Sequence, residues 1–156
     1  MPVNGAPLNY STQISADVTS GECMRLLGRY GASAVSITFE AREPAGLSFR
    51  ITTDLGDHGY QVRVRWKGTH LLLKQAQAKG LLKHKVRAAA WYVTEEHAKA
   101  VAWRQLRDWL EGNLAMVEAG QFELSEVMLP WRLLAPGQTM FDAVTEEDQR
   151  SLTTGR

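Results

Sequence analysis

Basic side chains with aromatic neighbours are concentrated in one part of the chain, where they could bind phosphate groups. Residues 58–94 contain eight lysine and arginine residues and no aspartate or glutamate. Phosphate binding needs several positive groups that follow a backbone, and aromatic rings among them add stacking energy. We therefore predict contact with nucleic acid, single-stranded DNA being favoured, through Arg63, Arg65, Lys67, Lys74, Lys83, Lys85 and Arg87 for phosphates and Trp91 or Tyr92 for stacking.

The following part of the chain carries the opposite charge. Residues 95–148 contain eleven acidic and four basic residues, although the 156 residues together have a formal net charge of +1. A long block of one sign indicates a polyanionic partner or an acidic surface of the same protein. Three interpretations stay open, because the basic block could bind nucleic acid, form a solvated face or pair with the acidic half.

Nucleophile and base patterns are weak. The single cysteine, Cys23, has no local spacing that ties it to a histidine, and we interpret it as a small buried helix residue. His97 follows Glu95 and Glu96, a pattern that could indicate a general base. The first turn of a helix favours acidic residues, however, so we predict a surface histidine. No residue is assigned a catalytic role, and the chain is not expected to be an enzyme.

Metal and cofactor motifs do not occur in the sequence. It contains no His-Glu-x-x-His, no cysteine pair, no calcium-loop spacing and no glycine-rich phosphate loop. One cysteine excludes an intramolecular disulfide, which fits a reducing compartment. No window approaches 18 apolar residues, and the first residues lack a signal-peptide pattern. We expect a protein of the cytoplasm with no metal, no cofactor and no membrane contact.

The elements that position these residues are predicted from periodicity and capping signals. Thr19 and Glu22 form a capping-box pattern that begins a helix, which Gly31 ends. Three runs with a period of two residues then predict an antiparallel meander, with its turns at residues 43–46 and 54–59. These runs span residues 35–40, 47–52 and 60–67, so the third strand carries Arg63, Arg65 and Lys67 on its polar face.

Helices follow the meander. We predict one from Thr69 to Lys79, a long one from Thr94 to Gly120, one turn ended by Pro130, and a short one over residues 139–144. The fold class is therefore α+β: an N-terminal helix, a three-stranded antiparallel meander, then helices packed on one sheet face. One domain covers residues 12–144, with flexible ends at 1–11 and 145–156.

Three tryptophans fall in the acidic half. Trp103, Trp109 and Trp131 are interpreted as core residues between the long helix and the sheet. The alternative is a contact between subunits, where tryptophan is common as an anchor, so a homo-oligomer is possible.

Several segments resemble a known family. They are residues 101–111, 114–120 and 126–130, with Thr19, Glu22 and Gly31 near the start and Gly137 and Thr139 near the end. The chain resembles, over residues 12–144, a group of small proteins from bacteriophages, prophages and integrative elements. The resemblance implies a phage gene product that acts in the bacterial cytoplasm on replication, recombination or host processes. It supplies no catalytic residue.

Two functional hypotheses follow, with a weaker third. The first is a non-enzymatic protein that binds single-stranded DNA in phage replication or recombination. The order of elements also resembles the core of single-strand annealing proteins, which is an analogy of fold alone. The second is a protein-interaction module, such as an inhibitor of a host factor or a subunit of a phage complex, for which the charge division is the motive. The third is a binder of a nucleotide-like small molecule.

Overall fold

A three-stranded antiparallel sheet and two helices across one of its faces organise the molecule. The computed structural model describes residues 5–83 and 87–154. The elements are α1 Ala16–Arg29, β1 Ala34–Glu40, β2 Glu43–Thr53, β3 Gly56–Arg63, α2 Trp66–Ala78, α3 Glu95–Glu118, α4 Leu124–Met128, β4 Leu133–Ala135, β5 Gln138–Thr139 and α5 Met140–Thr154. Two 3₁₀ helices cover Ala89–Val93 and Leu129–Trp131. The predicted α+β class, with its N-terminal helix and its meander, is confirmed.

The sheet buries the apolar residues of its alternating strands. The strands run in the order β1-β2-β3, and Phe49 lies opposite Tyr60 while Leu47 lies opposite Val62. These four side chains therefore share one face, and all four are buried. Leucines of α1 and the C-terminal half of α3 cover that face, and the fully buried Trp103 donates a hydrogen bond from Nε1 to the Pro44 carbonyl oxygen at 3.0 Å.

A second hydrophobic cluster joins α2 to the N-terminal half of α3. Leu73 and Ala76 of α2 pack there against Tyr92, Ala98 and Val101. Thr94 caps α3 as predicted, because its hydroxyl oxygen accepts from the His97 backbone N–H at 3.2 Å.

The first helix begins one turn earlier than predicted. Ser15, and not Thr19, is the N-cap, and its hydroxyl oxygen accepts from the Val18 backbone N–H at 3.3 Å. Thr19 is fully buried inside the helix, 3.5 Å from an Arg104 nitrogen. The capping-box prediction is wrong because a serine one turn upstream provides the same acceptor where the chain is still extended.

The predicted turn at residues 43–46 is also wrong, since β2 begins at Glu43. The chain reverses at Ala41 and Arg42, whose φ angles are 50° and 68°. Two positive φ angles give the two-residue turn that matches the twist of a hairpin. A shift of register between Thr38 and Phe39 accommodates Pro44, which lacks a backbone donor.

The third strand ends earlier than predicted, and the last helix ends later. The strand stops at Arg63 and α2 begins at Trp66, so Trp66 and Lys67 are helical. Trp66 packs at the edge of the α2 cluster, and this contact is possible only if the chain leaves the sheet. At the other end of the chain, the helix predicted to stop at Val144 continues to Thr154 and contains no buried residue.

Candidate nucleic-acid interface

Arg63 and Arg65 lie where the chain leaves the sheet. Arg63 is the last residue of β3, and Arg65 precedes the first residue of α2. Both side chains are exposed. Arg63 Nη2 donates to the Gly137 carbonyl oxygen at 2.8 Å, whereas Arg65 forms no hydrogen bond or ion pair with any residue in the described ranges. Arg65 is therefore the freer of the two positive groups.

A glycine allows the strands to approach each other closely beside these arginines. Gly46 of β2 lies opposite Arg63, and a Cβ atom at this position would come within 2.5 Å of the Val62 carbonyl oxygen. No side chain fits at such a separation from backbone. The Val64 backbone N–H then donates to the Ala45 carbonyl oxygen at 2.8 Å, so this pair of strands stays joined up to the turn that carries Arg65.

A cavity of about 480 Å³ lies against the two arginines. Its size is within the range of ligand pockets. Apolar side chains form most of its wall, and Gln61, Arg63, Arg65 and Asp142 supply charged and polar groups. The apolar wall consists of Val62, Leu106, Trp109, Pro130, Trp131 and Phe141.

Two tryptophans meet in the wall of this cavity. Trp109 of α3 and Trp131 of the 3₁₀ helix Leu129–Trp131 pack edge to face, with ring centroids 4.9 Å apart. Both are half-buried, and both lie against the sheet cluster. The prediction of core residues describes Trp103 well, but Trp109 and Trp131 also present surface to the cavity.

Asp142 fixes the start of α5 beside Arg63. Its Oδ2 accepts from the Thr139 backbone N–H at 3.0 Å and from the Thr139 hydroxyl at 2.9 Å. It also lies 4.0 Å from Arg63 Nη2. The hydrogen bonds from Thr139, followed by the positive charges of Arg63 and Arg65, hold the pKa of the Asp142 carboxyl below its usual value. Asp142 is therefore an anion at neutral pH and reduces the positive charge beside the cavity.

The exposed face of α2 continues the positive surface. Lys67 and Lys74 are exposed and seven residues apart, so they lie on one side of the helix, about 10 Å apart along its axis. Lys79 follows the helix and Lys83 lies two residues beyond Leu81, both exposed. Lys85 lies outside the described residues.

The acidic half does not neutralise this surface. Within residues 5–83 and 87–154, Arg63–Asp142 is the one salt bridge between the basic block and residues 95–148. Asp108 and Glu111 of α3 pair instead with Arg107 on the same helix. Arg104 of α3 reaches Glu22 of α1 at 2.6 Å. Salt bridges with the acidic half therefore do not account for Lys67 or Lys74. Arg65 also forms no salt bridge, although its charge contributes to the lowered pKa of Asp142.

The aromatic residues predicted to stack on bases are occupied by the protein itself. Tyr92 is 2% exposed in the α2 cluster, so the prediction that its ring is available is wrong in this conformation. Trp91 is half-buried, with its centroid 4.0 Å from that of His97, and the Arg87 guanidinium lies 4.6 Å from the Trp91 centroid. The structure does not bring Arg87 and Trp91 to the cavity beside Arg65, because they line a different depression.

His97 is not the surface residue that was predicted. It is fully buried, and its Nε2 donates to the Tyr10 carbonyl oxygen at 2.5 Å. Burial has the largest effect on the pKa of its imidazole and lowers it. The hydrogen bond to Tyr10 raises this pKa, and the positive charge of Arg87 lowers it further. Asn9 Nδ2 donates to Asp108 Oδ2, and Gln105 Nε2 donates to the Leu8 carbonyl oxygen. The segment before α1, predicted to be a flexible lead-in, is thus attached to α3 over residues 8–10.

Cys23 lies in the core, away from the candidate site. Cys23 is fully buried. The pKa of its thiol is raised to about 12, and burial is the largest cause of this shift. In the part of the chain that the structure describes, no three histidine, cysteine or acidic side chains are grouped closely enough to hold a metal ion. None of its described helices has the length and apolar character that a membrane crossing requires.

The functional residues that sequence reasoning missed are those of the apolar wall of the cavity. Trp109 belongs to the apolar stripe of α3, and Phe141 is an exposed apolar residue of a helix predicted to be short. One sequence signal for these residues is the pair Pro130-Trp131, which follows a predicted helix end. No local pattern indicates that this pair faces Arg63 and Arg65.

Comparisons with models of protein families, with curated proteins and with solved structures found no match to this chain.

Proposed function

We propose that this protein binds single-stranded nucleic acid, DNA being favoured, without acting as an enzyme. The observation that carries the proposal is the set of exposed cations that form no salt bridge with any described residue, Arg65, Lys67 and Lys74. Such groups attract a phosphate backbone because neutralising it releases bound counterions. A role in phage replication or recombination is consistent with the family resemblance and belongs to the same proposal.

Arg65 and Lys67 offer a test that separates binding from folding. Both are at the N-terminus of α2, whose first turn contains no acidic residue. Glutamate is stabilising at this end of a helix because it complements the helix dipole. The double variant Arg65→Glu, Lys67→Glu therefore reverses charge at the proposed interface while favouring the helix that carries it.

The measurement is fluorescence anisotropy with a short labelled single strand and with its duplex, at low and at physiological salt. We expect the unmodified protein to bind the single strand more tightly, and its affinity to fall with salt at about 0.7 log units per log unit for each phosphate neutralised. The double variant should bind at least about tenfold more weakly at low salt. The control protein carries Arg25→Glu and Arg150→Glu, which make the same change of charge elsewhere. It should bind much more tightly than the Arg65→Glu, Lys67→Glu variant.

Two results would contradict the proposal. Binding of neither strand at low salt would assign the positive surface to another partner. Equal affinity of the double variant and the unmodified protein would show that nucleic acid binds elsewhere. Circular dichroism of both double variants confirms that each comparison is made between folded proteins.

A second candidate is a protein-interaction module, and it is favoured by exposed apolar residues. Leu71 and Leu72 of α2 are 57% and 40% exposed, between the lysines of the same helix. Phe141, Val144 and Leu152 are also exposed on the acidic helix α5. Light scattering at low and high salt tests self-association through these surfaces. A monomer at every salt concentration would contradict that form of the interaction.

A further inference from the structure

We propose that the cavity beside Arg63 and Arg65 receives one unstacked base of the bound strand. The inference rests on the proposed function, because it assigns to the base a place next to the surface that binds the phosphates. The motivating observation is the position of Trp109, Trp131 and Phe141 within one cavity, directly beside the arginines.

The shape and the composition of the cavity suit a flat aromatic ring. Its volume of about 480 Å³ exceeds what a water molecule needs and falls in the range that holds small organic ligands. The edge-to-face packing of Trp109 and Trp131 fixes two indole rings at a large angle, 65°. A base that enters can therefore stack on one indole and place its own edge against the face of the other.

The polar groups of the cavity are arranged for a nucleotide rather than for a purely apolar ligand. Arg65 forms no hydrogen bond or salt bridge with the described residues and can take the phosphate that flanks the base. Gln61 also lines the cavity, and its side-chain amide carries both a donor and an acceptor for the polar edge of a base.

The same geometry explains a preference for single strands. A base within a duplex is paired and stacked, so its entry into the cavity would first require unpairing, at a cost of about a few kcal/mol. A base in a single strand avoids most of that cost. The cavity would then tolerate different bases, because every base has a face that can stack.

The test compares two single strands of equal length and charge, one of ordinary sequence and one in which the bases are replaced by abasic sites. Both present the same phosphates, so the basic surface alone would bind them equally. We expect the abasic strand to bind the unmodified protein more weakly by a factor on the order of ten. Trp131→Leu should bind both strands with the same low affinity, because leucine keeps the cavity apolar but cannot stack.

Trp66→Leu is the matched control. Trp66 is also half-buried, but it lies at the edge of the α2 cluster and not in the wall of this cavity. This variant should retain the preference for the strand with bases. If Trp131→Leu proves unstable, Phe141→Ala takes its place, because Phe141 also lines the cavity and is exposed.

The outcomes distinguish this inference from the function on which it rests. Equal affinity for both strands would overturn the base-binding cavity and leave phosphate binding intact. A preference that persists in a folded Trp131→Leu protein would show that the base binds elsewhere. Failure of both strands to bind would overturn the cavity assignment together with the proposed function.

Discussion

The Arg63 guanidinium donates a hydrogen bond to the carbonyl oxygen of Gly137, 74 residues away along the chain, at 2.8 Å. The contact attaches the turn between β4 and β5 to the end of β3, and it draws Asp142 to within 4.0 Å of the same side chain. The cavity beside the sheet is bounded on one side by this connection. One arginine thus contributes to structure while its neighbour, Arg65, remains available for a ligand.

Removing the negative charge of Asp142 should strengthen the binding of nucleic acid. Asp142→Asn preserves an oxygen that can accept from the Thr139 backbone N–H, so the start of α5 remains capped. The change removes repulsion between the carboxylate and a phosphate beside Arg63 and Arg65. We expect the affinity for a single strand to rise about threefold at low salt, and less at high salt, because exposed charges are screened.

Anisotropy titration of Asp142→Asn at two salt concentrations checks this expectation. Glu147→Gln on the same helix, outside the cavity, removes one charge as a control and should have a smaller effect. Unchanged or weaker binding of Asp142→Asn would place the phosphates away from Arg63.

Acid should destabilise the fold through His97. The pKa of this buried imidazole is lowered in the folded state, so the unfolded chain binds the proton more readily. The stabilising effect of a neutral His97 is complete above the unfolded pKa of about 6.5 and is lost progressively as the pH falls below it. Urea unfolding followed by circular dichroism at a series of pH values measures the effect.

The variant His97→Phe should flatten this pH dependence while costing about 1 kcal/mol at neutral pH through loss of the hydrogen bond to Tyr10. His58→Gln is the control, because His58 is partly exposed in the sheet hairpin and its ring contacts the Leu55 carbonyl oxygen of the same turn at 3.0 Å. A pH dependence that is the same in His97→Phe and in the unmodified protein would contradict the assignment.

Cys23 should be unreactive in the native protein. Its pKa of about 12 leaves almost no thiolate at pH 8, and its side chain is fully buried. We expect a thiol reagent such as Ellman's reagent to react at least about a hundredfold more slowly than with the urea-unfolded chain. Stoichiometric labelling of the native protein within the dead time would show that α1 opens readily from α3.

The sheet and the helices could be predicted because their signals are local. Alternation of Leu47, Phe49 and Ile51 determines which face of β2 is buried, and Thr94 provides the cap of α3. The element boundaries that were predicted wrongly, such as the start of α1 and the first hairpin turn, depend on competition between neighbouring sequence signals. Pro44 and Gly46 look like turn residues, but the hairpin reverses at Ala41–Arg42, and a shift of register accommodates the proline.

The candidate site could be predicted only in part. Arg63, Arg65, Lys67 and Lys74 were identified from charge alone, and charge requires no knowledge of the fold. Trp131 joins them through contacts that are distant in sequence, such as the bridge between Tyr60 and Arg132, which periodicity cannot indicate. Conversely, the sequence indicates Tyr92 as a stacking residue, and only the packing of α2 against α3 shows that its ring is buried.

The two hydrophobic clusters share α3 but have no buried residue in common, so we expect them to behave as two units that open separately. Ala98 and Val101 in the first half of the helix pack with α2, whereas Leu110 and Leu114 in the second half pack with the sheet. Backbone amides of α2 can then exchange with solvent deuterium through an opening that leaves β2 and the end of α3 closed. A ligand that joins Arg65 to Trp131 would bridge the two units, and it would slow exchange in both at once.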